Sequence, residues 1–493
     1  MDILYFLTIE NIFYSLLGVF IGIVFGIIPG LTATLGVALF LPFTFGMPPV
    51  AAFALLLGIY CAGIYGGSIP AILIRTPGTV ASSATIMDGY PMSKKGQALE
   101  ALSLMTVCSF IGGVFSCLVL IFLAPRLASF ALMFGPPEYF AVGLFGLSII
   151  AALSGKNILK GVISACVGLA IATIGMDPVS GTLRFTFGIP QLLGGFDFVA
   201  ALIGLFAVSE VLDKLLTRRN WEVTGNIAIT GGMFKLKVLK DNLFNVLRSS
   251  VIGTFVGVIP GPGASIAAWL SYNEAKRASK HPHLFGTGVP EGVVAPETAN
   301  NAVTGGSLVP TLTLGIPGDS ITAVMLGALM LQGLPPGPTL FVEHSDVMNG
   351  IFVMLIMANV FMLILGLLGI RLFVNIIKTP LDVLLSTVTL LCFIGAYAIN
   401  RNIADLYIML LMGIIGFLFT KAKFPLPPIL LGIILLPIIE SNFRRALTMS
   451  RGSFAIFFNR PISIAFIALS VITFVHPIVS AYIKKRREKT AAS

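Results

Sequence analysis

Two Pro-Gly interruptions fall inside long apolar runs: Pro29-Gly30 in GIIPGLTAT, and Pro260-Gly261-Pro262-Gly263 in GVIPGPGAS. Proline removes a backbone donor and glycine tolerates non-helical dihedrals, so each pair ends one helix and opens another. A helix N-terminus exposes unpaired N–H groups and roughly half a positive charge, which seats an anion. Thr32 and Thr34 follow Gly30, and Ser265 follows Gly261 and Gly263. Hydroxyls and bare N–H groups of this kind bind a carboxylate without a buried cation. The alternative is that each break only kinks a helix for packing.

A second break follows each of these. GGSIPAILIRTPGT runs from Gly66 to Thr79, and GGSLVPTLTLGIPGDS from Gly305 to Ser320. We expect a turn at each GGS and a re-entrant helix–break–helix hairpin over each stretch. The first hairpin offers Gly67, Ser68, Thr76 and Thr79; the second offers Gly306, Ser307 and Ser320. Arg75 is the one strong cation of the first hairpin, and Gly315 stands in its place in the second. It can bridge an anionic substrate, snorkel to a headgroup or pair with a carboxylate.

Asp319 follows the second Pro-Gly, where the first half has Thr79. An intramembrane carboxylate is costly and is functional by default. With Asn300 and Asn301 it can hold Na⁺ or carry a proton; it can equally cap a half-helix. Glu291 and Glu297 precede the same break and read either as cation ligands or as loop charges.

The elements that position these residues are membrane helices. The chain is 56% hydrophobic and 11% charged, with a mean hydropathy of +0.98, which describes an all-α polytopic membrane protein. At roughly 20 apolar residues per span, the runs make about ten to twelve crossings. They are continuous rather than alternating, which excludes a transmembrane β-barrel. No positive n-region of a signal peptide precedes the first run.

Broken helices survive in lipid only where protein or water satisfies the freed backbone groups, and matched breaks in two halves of a chain point to a transporter's binding site. Residues 1–220 and 244–445 read as two copies of one unit. Pro29 and Pro260 lie 231 positions apart, and Glu210 and Glu440, which end similar runs, lie 230 apart. A basic linker, 221–243, separates the copies, and 446–493 forms a final helix and basic tail. The linker is cytoplasmic by its charge, and the acidic N-terminus (Asp2, Glu10) lies outside. Each copy then has an odd number of crossings, and the second runs inverted. Arg444, Arg445 and Arg451 oppose that topology.

The net charge of +10 gathers in loops and the tail (Lys94-Lys95, Lys484 to Lys489). That is a topology and headgroup signal, and no nucleic-acid partner is implied. The five cysteines lie in apolar stretches without CxxC spacing, and the four histidines form no metal constellation. No P-loop, G-x-S-x-G or H-E-x-x-H pattern occurs, so the chain reads as no enzyme and carries no cofactor. Energy then comes from an ion gradient or a partner.

GIIPGLTATLGVALFLPFTFGMPP, GGSIPAILIRTPGT and EGVVAPETANNAVTGGSLVPTLTLGIPGDS resemble the large membrane subunit of the tripartite tricarboxylate transporters, from about residue 12 to about 450. The resemblance implies a multi-pass protein of the bacterial inner membrane with two partners, a small membrane subunit and a periplasmic solute-binding protein. It implies uptake of citrate or other tri- and dicarboxylates with Na⁺ or H⁺ as coupling ion. The competing reading is a passive anion-selective channel. The solute, the coupling ion and the oligomeric state, a homo-oligomer included, stay open.

Overall fold

The computed structural model describes residues 3–28, 30–153, 158–177, 180–217, 229–261, 263–376 and 379–475. Pro29, the expected turn at 154–157, Pro262, residues 218–228 with the first part of the basic linker, and the basic tail from 476 lie outside the described residues. In chain order the helices begin with α1 (Ile9–Ile27), α2 (Ala33–Phe40), α3 (Pro49–Gly66), α4 (Ser68–Ile74), α5 (Ile86–Lys94) and α6 (Ala98–Ala131). Next come α7 (Pro136–Leu153), α8 (Ile158–Ala172), α9 (Phe198–Leu202) and α10 (Ser209–Thr217), the last two joined by a π-helical segment, Ile203–Val208. The second half holds α11 (Leu236–Asp241), α12 (Leu243–Val258), α13 (Gly263–Ala278), α14 (Glu291–Leu314), α15 (Ser320–Leu331) and α16 (Thr339–Glu343). It ends with α17 (Ser345–Leu368), α18 (Ile370–Ile376), α19 (Leu381–Ala398), α20 (Ile403–Lys421), α21 (Pro427–Met449) and α22 (Pro461–Val475). Among the described residues, strand is confined to one small antiparallel pair, β1 (Gly175–Met176) and β2 (Leu183–Arg184).

The protein is an all-α polytopic membrane protein. Five described segments have the length and apolarity to cross a bilayer: Ile9–Ile27, Pro49–Ile74, Ala98–Ala131, Ser345–Leu368 and Ile403–Lys421. Shorter apolar helices, α2, α8, α12 and α15 among them, accompany these. Pro49–Ile74 combines α3 and α4, so Gly66-Gly67-Ser68 makes no turn; Gly67 keeps helical dihedrals, φ −61° and ψ −21°. Gly305-Gly306-Ser307 likewise lies within α14. The expected GGS turns are therefore corrected: at both sites glycine serves close helix contact, and the chain stays helical until Ile74 and Leu314.

The chain forms two compact units, each drawing on both sides of the 221–243 linker. The first comprises Met1–Ala128 and Thr217–Leu391, the second Ser129–Leu216 and Cys392–Ser493.

In the first unit α1 packs along α3 and α12 along α14. Apolar lipid gives no hydrophobic drive to join two helices, so close contact needs small residues that let backbones approach. Gly18, Gly22 and Gly26 supply it on α1: a Cβ there would lie 2.2, 2.7 and 2.4 Å from the carbonyls of Leu55, Ile59 and Gly63. Gly253 and Gly257 do the same on α12, against the carbonyls of Ala299 at 2.3 Å and Val303 at 2.8 Å. Asp88 of α5 is fully buried and ties in the approach to α14, accepting from the N–H groups of Gly286, Gly288 and Val289 and from Tyr272.

In the second unit α7 and α8 pack on α21, while α20 packs on α9 and the π-helical segment. Gly168 meets Ile429 O and Gly204 meets Met409 O by the same close approach. Asp177, Arg184, Glu440 and Arg444 close a ring of ion pairs at 2.6–3.1 Å that ties the strand pair to α21.

Candidate functional site

All four breaks lie in the first unit, and three of them open the new segment with an extended residue, Thr32, Thr79 or Asp319. After α1, Gly30 takes φ 94° and Thr32 is extended, its Oγ1 accepting from Leu35 N at 3.1 Å as the cap of α2. After α12, Gly261 and Gly263 take φ 114° and 62°, and α13 starts. α4 ends on Arg75 in the left-handed region, its N–H returning to Pro70 O. α14 ends in the same way on Gly315, its N–H returning to Pro310 O. Thr79 then leads into the short turn Val80–Ser83, and Asp319 caps α15.

The breaks touch one another. Gly261 N donates to Gly318 O at 2.9 Å, and Gly78 N to Gly67 O at 2.9 Å. The two halves also cross. α2 meets α15, where the Thr34 and Ser320 hydroxyls lie 3.1 Å apart, and α13 meets the Val80–Ser83 turn, where Trp269 Nε1 donates to Ser83 Oγ at 2.9 Å. Four segment openings thus gather beside the α3–α14 pair.

α14 is buried from Gly292 to Thr313, and its polar residues form two separate groups. One surrounds Asp319. The Tyr60 phenol lies 2.6 Å from Ser307 Oγ and donates to Asp319 Oδ2 at 2.7 Å. Asp319 Oδ1 accepts from Ile321 N at 3.0 Å, Thr322 N at 2.8 Å and Thr322 Oγ1 at 2.9 Å, and Thr322 Oγ1 accepts in return from Asp319 N, completing a capping box.

The other group surrounds Glu297, which is fully buried. Ser68 Oγ donates to Glu297 Oε1 at 2.5 Å, Thr85 Oγ1 donates to the same oxygen, and Ser109 Oγ donates to Oε2 at 3.2 Å. One turn further on, Asn301 Nδ2 donates to Asn300 Oδ1 at 3.1 Å. Asn301 Oδ1 and Thr79 Oγ1 are buried with no hydrogen-bond partner. At about 1.5 Å of rise per residue, Glu297 and Ser307 stand about 15 Å apart along the helix, so the two groups are distinct.

The tripartite tricarboxylate transporter TctA family model matches residues 12–431 of the chain. The chain belongs to that family. It is therefore a component of a tricarboxylate transporter. The chain is 38% identical over 483 residues to an uncharacterized 52.8 kDa protein from the TAR-I ttuC' 3' region of Agrobacterium vitis, covering 98% of this chain and 96% of that one. It is 36% identical over 234 residues to an uncharacterized protein from the TAR-II ttuC' 3' region of the same organism, covering 48% of this chain and 97% of that one. No solved structure matches the chain.

In this TctA-family chain the residues expected around the breaks fall into three sets. Gly30, Thr32, Thr34, Gly261, Gly263, Ser307, Asp319 and Ser320 gather at the contacting breaks. Ser68, Glu297, Asn300 and Asn301 belong to the second group, nearer the start of α14, and Gly67, next to Ser68, lies directly against the Thr79 side chain. Gly306 is a packing glycine, 2.5 Å by its Cβ position from Thr254 O.

Arg75, Thr76, Ser265 and Glu291 are not drawn in. Arg75 is exposed, with its guanidinium 5.8 Å from the Tyr90 ring centre. Thr76 Oγ1 turns back to Ile74 O. Ser265 is half-buried in the first turn of α13, and Glu291 opens α14 about 9 Å of helix from Glu297. Glu297 is corrected from the loop-charge alternative to a helix interior. The five residues grouped for cation binding divide, with Asp319 in one cluster and Glu297, Asn300 and Asn301 in the other.

Tyr60, Thr85, Ser109 and Thr322 were missed. Tyr60 could have been found as a phenol buried in the apolar run AAFALLLGIYCAG; Thr85 and Ser109 carry no local signal, because what selects them is proximity to a helix far away in sequence.

Proposed function

We propose that the chain is the permease subunit of a secondary-active, cation-coupled system that takes up tri- and dicarboxylates such as citrate across the bacterial inner membrane. A small membrane subunit and a periplasmic solute-binding protein complete the system. One observation carries the reading: four broken helices bring their openings together beside a single buried helix pair, with hydroxyls at Thr32, Thr34 and Ser320 and a carboxylate at Asp319. Helix N-termini offer N–H groups and positive potential to the solute's carboxylates. Asp319 already occupies the α15 end, so the solute is left the openings of α2 and α13, near Gly30, Thr32, Gly261 and Gly263.

Duplication and inversion of the two halves belong to the same proposal. α4 and α14 end on left-handed residues, Arg75 and Gly315, that return their N–H groups to Pro70 and Pro310. Glu210 and Glu440 each pair four residues on, with Lys214 and Arg444. The crossed contacts, α2 with α15 and α13 with the Val80–Ser83 turn, are what an approximate twofold axis between the halves would create.

The test is uptake of labelled citrate, tartrate and succinate by proteoliposomes holding the chain with its two partners. The expected outcome is saturable accumulation that needs an imposed Na⁺ or H⁺ gradient. Equilibration independent of any gradient would sink the coupling, and unitary currents in a planar bilayer would establish a channel instead.

A further inference from the structure

The second unit has two distinguishable ends. Lys421, the last residue of α20, pairs with Asp213 of α10 at 2.9 Å, and the chain continues from α10 into the basic linker. The charge of that linker makes this end cytoplasmic. Just before the other end of α20, Asn400 Nδ2 donates to Asp197 Oδ2 at 3.0 Å. Asp197 closes the segment that the strand pair begins, and Met176 N donates to Leu193 O at 3.0 Å, which keeps the described part of that segment at this end. The ion pairs of Asp177, Arg184, Glu440 and Arg444 lie here too. Such a ring is costly in hydrocarbon, so it sits at or beyond the headgroups, on the external face.

Backbone strain is concentrated on this face. Phe185 and Phe187 hold φ 51°, Arg401 holds φ 51° and Arg451 holds φ 53°. Of the other described residues, only Arg75 and Lys423 combine a side chain with a positive φ. Glycine takes this conformation without a Cβ penalty and is the usual residue just past a helix end, where Arg401 and Arg451 follow α19 and α21. Each site instead keeps a large side chain and turns it outward. Phe185 and Phe187 are 61% and 81% exposed, and Arg401 and Arg451 are exposed as well. Strain retained at exposed positions points to a contact made outside the chain.

Charge gives a second, independent sign. Arg401, Arg445 and Arg451 are exposed, and none of them pairs with a carboxylate. The positive-inside preference works against arginine on an external face, so three uncompensated charges there call for an acidic partner. Exposed aromatic rings beside arginine make the composition of a protein interface. Anchors in the lipid interface are tryptophan and tyrosine, and fluid lipid needs no fixed backbone beneath them.

We propose that Phe185, Phe187, Arg401, Arg445 and Arg451 form the docking face for the solute-binding protein, which meets it with an apolar patch ringed by carboxylates. The arginines steer and orient the partner, and the two rings anchor it. The ion-pair ring holds the segment ready, so little order is lost on docking. The inference deepens the proposed function: the partner's identity rests on that reading, whereas the face and its chemistry do not.

The experiment is binding of the solute-loaded solute-binding protein to the full-length chain with its small subunit in phosphatidylcholine nanodiscs, read by biolayer interferometry at low and high salt. Wild type should bind, more weakly as salt rises. Arg401→Gln/Arg445→Gln/Arg451→Gln should weaken binding by more than about tenfold and flatten its salt dependence. Phe185→Gly/Phe187→Gly, which suits the left-handed backbone, should weaken it about as much while the melting temperature holds or rises. Lys423→Gln, exposed at the cytoplasmic end, should stay within about twofold of wild type. Wild-type affinity in both multiple variants overturns the docking face and leaves the partnership standing. Stabilisation by phosphatidylglycerol that both variants lose, with partner binding intact, makes the face a lipid seat and equally overturns it. No binding by wild type overturns the proposal, and uptake that also proceeds without the solute-binding protein removes that partner from the proposed function.

Discussion

Tyr60 and Asp319 lie 259 positions apart, yet the Tyr60 phenol donates to Asp319 Oδ2 at 2.7 Å. The bond joins the core of α3 to the cap of α15, while Ser307 of α14 meets the same phenol. One hydroxyl therefore links three elements around the second break. Tyr60→Phe should lower stability by about 1–3 kcal/mol, since a buried carboxylate oxygen loses its donor. Thermal unfolding of Tyr60→Phe, Asp319→Asn and the double variant would measure the coupling. Strict additivity would show that the bond contributes nothing.

Asp88 is the second test of a buried carboxylate, and here a structural role is expected. Its two oxygens take up three backbone N–H groups, those of Gly286, Gly288 and Val289, and the Tyr272 phenol. Asp88→Ala leaves these donors without an acceptor and should cost more than about 3 kcal/mol. Little or no folded protein should reach the membrane, as judged by fluorescence-detected size exclusion. Asp88→Asn keeps one acceptor oxygen and should fall between that variant and wild type. A normal Asp88→Ala profile would remove Asp88 as the tie before α14.

Gly26 tests whether helix closeness is what glycine provides in α1. A Cβ there would lie 2.4 Å from Gly63 O and 2.9 Å from Gly66 Cα, so Gly26→Ala must push α1 from α3. A loss of about 1–3 kcal/mol is expected, as for overpacking elsewhere. Gly194→Ala is the control, because nothing lies within 4 Å of that position. Equal melting temperatures for the two variants would contradict the packing argument.

Arg75 holds φ 60° where Gly315 holds φ 69° at the corresponding break. Arg75→Gly relieves a strain of about 1 kcal/mol and adds comparable freedom to the unfolded chain, so stability should barely move. The side chain is exposed beside Tyr90, and uptake should keep its KM within about twofold, less than 1 kcal/mol. A rise in KM of more than about tenfold would make Arg75 a direct substrate ligand.

The sequence by itself determined the membrane class, the family and the four points where helices break. Those rest on local quantities: apolar run length, and the backbone limits of Pro29-Gly30, Pro260-Gly261 and the Pro-Gly pairs before Thr79 and Asp319. Such limits act wherever the chain is. The reading of GGS as a turn failed because glycine has two uses, and only a neighbour decides between them. Gly66 and Gly67 pack against α1 and Thr79, and Gly306 packs against α12.

Tertiary structure alone decided which polar groups act together. Asp319 and Glu297 are alike in sequence, each an acid in an apolar setting. The fold makes one the cap of its own helix, with two N–H groups and a phenol, and gives the other three hydroxyls, from α4, from Thr85 at the N-cap of α5, and from α6. Partners separated by 188 to 259 positions leave no periodicity or spacing for a linear reading to detect. Charge compensation is a property of what surrounds a group in space, and only the folded chain supplies that.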